Sequence, residues 1–320
     1  MPILPNTSWD FAALGVVAVA YVALLATWPL RHAAPHRRAR VMLALLAAFA
    51  LAPLAVPAQP ALRSLMTIIL AGILPAKIVD TLRSAEHWRA QPLWRWLEFV
   101  LNPVILVARL HAREPARSRW ANALTAARGL VEVQVGKWCL GLWLRSGLGL
   151  SSFWLDHTAK VLCLYLMSFS GGNILATGLL RLLGSNVLDL SRDPILAVTP
   201  ADFWRRYNRN VNQFLAAHVF TPLGSVRRPA RGIWLAFLLN GVFHEYVFAM
   251  LAGRVTGYLL AFFALQAAAV TLTFRWRPRG AVRTIIGTVL TFAFNVVTSV
   301  LFFEALDAAL HFYPGGGLLP

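Results

Sequence analysis

Apolar residues gather in eight long runs separated by short polar gaps. The runs cover 11–30, 41–57, 61–79, 129–146, 153–183, 232–252, 256–274 and 284–304. Each approaches the roughly 20 residues that a helix needs to cross a bilayer core. Glu132, Gln134 and Lys137 interrupt the fourth run. The fifth contains Gly171-Gly172-Asn173, which predicts a broken helix. Two further stretches are mixed. Residues 92–110 combine Trp, Leu and Arg, the make-up of a helix lying in the interface. Residues 199–221 open with Thr199 as cap, Pro200 at the first helical position and Asp202 at capping-box spacing. Pro222 and Gly224 then stop that helix. The pattern predicts an all-α polytopic membrane bundle of about eight spans, with interfacial helices enclosing a tunnel. No repeat or soluble segment interrupts it, so residues 1–320 read as a single membrane-embedded domain.

The charges agree with this layout. The chain holds 30 Lys and Arg against 13 Asp and Glu, a net charge of +17. The gaps 31–40, 77–128, 184–231 and 275–283 carry 4, 9, 7 and 4 cations. Alternating spans put all four gaps on one side, which the positive-inside rule makes cytoplasmic. The N-terminus then lies outside. Its MPILPNTSWDF start has no positive n-region and reads as leading into a first span, not as a cleaved signal peptide. Nucleic acid is not needed to explain the charge, because its binders collect cations on a soluble face. The 58% apolar and 13% charged residues exclude disorder and an ordinary water-soluble surface. Arg outnumbers Lys by 27 to three, as in a GC-rich genome; the expected location is a bacterial inner membrane. Cys139 and Cys163 form no CxxC and neighbour no His cluster, so neither a disulfide framework nor a metal site is expected.

An ionisable residue inside a span is costly and is a functional candidate by default. His244 and Glu245 lie about 13 residues into the sixth run. Asn240, four residues before His244, shares its helical face. Phe248 stands where HExxH would need a second His, which disfavours a metal. A neutral histidine in a dry cavity can act as a general base. A structural His–Asn link between helices is the alternative. Glu245 is placed at the tunnel lining or as an orienter of a neighbouring helix, with no proton-transfer role. Trp204, Asn208 and Asn212 share one face of the 199–221 helix by their spacing. Arg205, Arg206 and Arg209 alone would fit a surface helix on anionic headgroups; the aromatics and asparagines among them ask for more. Thr291, Asn295 and Ser299 form a polar stripe on the last run, either a tunnel wall or a packing face. Ser168, Ser170 and Asn173 pose the same choice. His157, His218 and His311 read as interfacial rather than catalytic.

Together the two motifs resemble the membrane-bound O-acyltransferase (MBOAT) superfamily, in its wax synthase-like branch. Pro194 and Asp202-Phe203-Trp204-Arg205-Arg206-Tyr207-Asn208 are similar to a proline followed by S-x-x-D-F-W-G-R-R-W-N. Phe243-His244-Glu245-Tyr246 resembles the later H-E-Y span motif of the related diacylglycerol and sterol O-acyltransferases. Tyr207 replaces the usual Trp, and the Gly between Trp and Arg is absent. The match covers about residues 184–250, the motif-bearing core. The resemblance implies a catalytic His244 supported by Asn208. Trp204, Arg205, Arg206, Tyr207, Asn212, Asn240, Glu245 and Asn295 are read as the substrate-binding residues around that pair. The implied reaction moves an acyl group from acyl-CoA to a lipophilic alcohol, with no further cofactor. CoA would enter from the Arg-rich side, its phosphates meeting Arg205, Arg206, Arg209, Arg227, Arg228 and Arg231. Two other readings stay open. One is short-chain (acetyl) transfer to a sugar or secondary metabolite. The other is a non-enzymatic transporter or lipid-binding protein.

Overall fold

The computed structural model describes residues 7–111, 116–222, 227–313 and 317–318. These residues form helices and turns, with no strand among them. Six helices are long and apolar enough to cross a membrane. They are α1 (Ser8–His32), α2 (Pro35–Ala55), α3 (Pro60–Arg83), α5 (Phe153–Leu182), α6 (Pro229–Ala252) and α8 (Ala281–Asp307). Two more helices occupy the remaining predicted runs: α4 (Arg119–Ser146) and α7 (Tyr258–Thr273). Helix α4 has 28 residues, but Arg128, Glu132 and Lys137 dilute its apolar character. Helix α7 is apolar but has 16 residues, about 24 Å at 1.5 Å per residue. The stop assigned to Gly224 lies at 223–226, and the MPILPN start at 1–6; both fall outside the described residues.

The chain packs as two compact units. The first comprises residues 1–109 and 239–260, the second 110–238 and 261–320. In the first unit, the 239–252 stretch of α6 is held by side chains reaching its carbonyls. Ser64 Oγ donates to Val247 O at 3.2 Å, Tyr246 Oη donates to Ala50 O at 2.7 Å, and Arg63 Nε reaches Met250 O at 3.4 Å. The Phe243 ring lies over Gly72, where an added Cβ would meet it at 2.8 Å. The expected interfacial helix over 92–110 is not one. Leu93–Leu101 is helical, with Trp96, Phe99 and Val100 buried, the chain then leaves the helix, and a short helix restarts at Ala108–His111. Pro103 disfavours helical backbone at Asn102, and Asn102 Oδ1 accepts from the N–H groups of Val104 and Ile105. The chain then folds back over the wholly buried Lys77. Its ammonium donates to the carbonyls of Phe99, Asn102 and Ile105. Burying such a donor is costly unless it is hydrogen-bonded, and these carbonyls supply the partners.

In the second unit, α4 and α5 approach through glycines. A Cβ on Gly129 would collide with Leu175 N, and one on Gly178 with Ala126 N. Gly171 likewise faces Val133 N at 2.9 Å. The glycine pair therefore does not break α5. Gly171 lets two backbones touch there, and the helix runs as a π-helical turn over Tyr165–Gly172. Ser170 Oγ donates to Glu132 Oε2 at 2.6 Å across this contact. We expect Gly178→Leu to destabilise the fold by about 1–3 kcal/mol, as overpacking does. Thermal unfolding in detergent checks this; an unchanged midpoint would show that α4 and α5 can part at no cost.

Candidate functional site

The 199–221 stretch folds as two short helices. Thr199 caps the first, its Oγ1 accepting from Asp202 N at 3.0 Å. Pro200–Arg206 then runs as a helix and stops at Tyr207. Asn208 adopts left-handed backbone, φ 43° and ψ 55°, and Arg209–Leu215 starts a new helix. The expected single face of Trp204, Asn208 and Asn212 is therefore corrected, because the helix that would align them is broken. Asparagine is among the side chains that best tolerate this conformation. Tertiary contacts hold it there. Arg192 N donates to Arg206 O and Arg209 N to Leu190 O, each at 3.0 Å. Asn212 Nδ2 donates to Trp204 O at 2.8 Å, spanning the turn. The Asn208 side chain makes no capping bond to the helix it begins.

Most arginines of this loop are engaged internally. Arg206 Nε donates to Asp202 Oδ2 at 2.9 Å, and Arg205 lies 3.8 Å from the same carboxylate. Arg209 Nη1 donates to Asp189 O at 2.8 Å. The Asp189 carboxylate meets Arg181 at 2.8 Å and Arg117 at 3.0 Å. Burial pushes the Asp189 carboxyl up, but the Arg181 hydrogen bond and the charges of Arg181, Arg117 and Arg192 outweigh it and hold the group below the carboxylate range. Arg205, Arg227, Arg228 and Arg231 are exposed.

Aromatic rings pack around the turn. Tyr207 stacks on Phe203 at 5.6 Å between centroids and meets Phe169 and Trp204 edge-on. Burial pushes its hydroxyl well above the usual tyrosine range, so it stays a neutral donor. The Trp204 indole N–H donates to Gln266 Oε1 at 2.9 Å. Gln266 in turn donates to Thr298 Oγ1 at 2.9 Å and faces Asn295 Oδ1 at 3.4 Å. Asn295 thus belongs to a packing contact between α7 and α8. Sequence reasoning missed Gln266, although a lone amide in the run AFFALQAAAV was a visible signal.

His244 stands in α6, in the stretch that belongs to the first unit; the 199–221 loop belongs to the second. His244 Nδ1 lies 2.9 Å from the main-chain carbonyl of Asn240. A carbonyl only accepts, so Nδ1 carries the proton and the basic lone pair resides on Nε2. The link runs to the backbone of Asn240, not to its amide.

Glu245 has a different task from its neighbour. Its Oε1 accepts from the N–H groups of Thr256 at 2.7 Å and Gly257 at 2.6 Å. Its Oε2 accepts from Leu259 N at 3.1 Å. It therefore caps α7 from the preceding helix, satisfying main-chain donors at that helix's start. This is the helix-orienting role, through backbone N–H groups. Charge-assisted bonds of this kind contribute about 1.5–3 kcal/mol each. Glu245→Ala is expected to cost several of them at once, about 3 kcal/mol or more, with Glu245→Gln intermediate. Detergent unfolding curves for both variants measure this; equal midpoints for wild type and Glu245→Ala would remove the capping role.

The remaining stripe residues and His157 are packing elements. His157 is wholly buried, not interfacial, with Nε2 2.9 Å from Val296 O and Nδ1 2.7 Å from Tyr313 Oη. Ser299 joins the same contact at 3.1 Å. Next to it, Lys160 pairs with Asp156 at 2.6 Å, so the charges inside α5 compensate each other. His218 is also buried, and His311 is exposed. Among the described residues no three His, Cys, Asp or Glu side chains gather as a metal site.

Residues 145–306 match the model of MBOAT, the membrane-bound O-acyltransferase family. A probable long-chain-alcohol O-fatty-acyltransferase 7 from Arabidopsis thaliana is 34% identical over 145 residues, 39% of this chain and 42% of that protein. A probable long-chain-alcohol O-fatty-acyltransferase 3 from the same plant is 32% identical over 143 residues, 39% of this chain and 41% of that protein. A probable alginate O-acetylase AlgI from Pseudomonas putida is 28% identical over 95 residues, 28% of this chain and 19% of that protein. The matches thus span less than half the length of these relatives.

Proposed function

This chain belongs to the membrane-bound O-acyltransferase family, and on that premise we propose that it transfers an acyl group from acyl-CoA to the hydroxyl of a lipophilic alcohol. The observation that carries the reading is the tautomer of His244. Its Nδ1–H is committed to the Asn240 carbonyl inside a membrane-spanning helix, which leaves Nε2 as the base. In the proposed reaction Nε2 takes the hydroxyl proton while the alcohol oxygen attacks the thioester carbonyl. The Asn208 amide donates to the oxyanion that forms, a role worth about 2.7–4 kcal/mol where it has been measured. Collapse breaks the carbon–sulfur bond, and the imidazolium returns its proton to the CoA thiolate. No cofactor beyond the co-substrate takes part. The exposed Arg205, Arg227, Arg228 and Arg231 supply charge for the CoA phosphates, from the cytoplasmic face of a bacterial inner membrane. Trp204, Arg206, Tyr207 and Asn212 shape the site around Asn208, and Asn240 orients His244.

Long-chain transfer is favoured because the plant relatives align over 39% of the chain, against 28% for the alginate O-acetylase. That second relative supports acetyl transfer to a sugar as the other reading. CoA release by the purified protein separates them, using acyl-CoAs of several lengths against fatty alcohols and against polysaccharide. Release that needs a long-chain alcohol supports the proposal. Release only with acetyl-CoA and polysaccharide transfers the assignment to the second reading, and no release with any pair would sink both.

A further inference from the structure

Gln266 is 1% exposed, inside an apolar helix where an amide has no water to bond. Its three polar contacts admit one orientation. An indole N–H only donates, so the Gln266 oxygen must face Trp204, at 2.9 Å. The two amide N–H groups then point to α8, one to Thr298 Oγ1 at 2.9 Å and one toward Asn295 Oδ1 at 3.4 Å. Thr298 is itself fixed, its hydroxyl donating to Phe294 O at 2.8 Å. The indole is boxed on its other sides by Phe237 and Phe263, at 5.1 and 5.9 Å between centroids. The main chain of Trp204 carries the constraint onward, because its carbonyl accepts from Asn212 across the left-handed turn at Asn208. A chain of hydrogen bonds therefore runs from α8 through Gln266 and Trp204 to the far side of that turn.

We propose that Gln266 is a positioning residue. It touches no reacting atom; it fixes the Trp204 indole, and through it the Tyr207–Asn208 turn. The inference deepens the acyltransferase reading and rests on it for its catalytic consequence. Gln266→Leu removes all three contacts while keeping an apolar shape. Gln266→Glu, protonated in this setting, keeps an acceptor for the indole and a donor for α8. Misplacing a catalytic group by about 1 Å can cost about 10²-fold. Gln266→Leu is therefore expected to lower kcat by tenfold to about 10²-fold with KM changed less than threefold, and Gln266→Glu to restore most of it. Thr298→Val, which loosens only the far anchor, should give a smaller fall.

A second readout does not depend on turnover. The chain has 12 tryptophans. After labelling with 5-fluorotryptophan, the fluorine resonance that Trp204→Phe deletes belongs to Trp204. That resonance should move in Gln266→Leu and return in Gln266→Glu, while amide exchange over 205–212 quickens in the leucine variant. A fall in kcat together with a moved resonance supports the proposal. An unmoved resonance, or an unchanged kcat in folded Gln266→Leu, overturns it. If the wild type transfers no acyl group, the functional reading has failed by itself. The resonance and the exchange rates then still decide whether Gln266 holds the turn: both changed supports it, both unchanged overturns it.

Discussion

His244→Ala lowers acceptor-dependent CoA release by about 10²–10⁴-fold, the range over which a positioned general base acts. The variant should remain folded, because the Asn240 carbonyl that loses the His244 side chain is still supplied by helix geometry with a main-chain donor. His244→Gln refines the result. Glutamine can donate like Nδ1–H but cannot accept a proton at neutral pH, so it should be as inactive as alanine. Added imidazole should return part of the activity to His244→Ala by filling the space left. The measurement is CoA release on monodisperse protein. Turnover within tenfold of wild type in either variant would mean that another group takes the proton, and the mechanism above would fall.

Asn208 is open to a sharper test, because its backbone and its amide can be separated. Asn208→Gly leaves the left-handed turn relaxed, since glycine enters that region at no steric cost. It removes the amide. If the amide donates to the oxyanion, release falls about 10²–10³-fold with the unfolding midpoint nearly unchanged. Asn208→Ala should lose the same activity and in addition about 1–2 kcal/mol of stability, because a Cβ without a polar end is strained at φ 43°. Comparing the two separates chemistry from conformation. Wild-type turnover in Asn208→Gly would mean that asparagine serves only to turn the chain, and the oxyanion role would be lost.

How much of this was readable beforehand differs from element to element. The periodic apolar runs located eight helices, because hydrocarbon-crossing helices must be long and apolar for reasons internal to each segment. The Thr199 cap was equally local: a hydroxyl and an N–H three residues apart. The family resemblance rested on Asp202-Phe203-Trp204 and on His244-Glu245-Tyr246, and the family match bears it out. Where reasoning depended on a regular helix continuing, it failed. Spacing put Trp204, Asn208 and Asn212 on one face, but backbone hydrogen bonds to Leu190 and Arg192 hold the chain in a break there. The glycines at 171 and 172 also read as a break, but Gly171 instead meets the close approach of α4.

The sequence by itself determined the all-helical membrane architecture and carried the two motifs. Each of these follows from composition within one segment or from the solvent that surrounds it. Only the tertiary structure decided what the polar residues inside the spans do. Glu245 serves the turn at Thr256–Leu259, Gln266 serves Trp204, Lys77 serves the carbonyls of 99–105, and His157 serves Val296 and Tyr313. A buried polar group must find a partner, but the partner is chosen by which helices meet, and no local pattern encodes that choice.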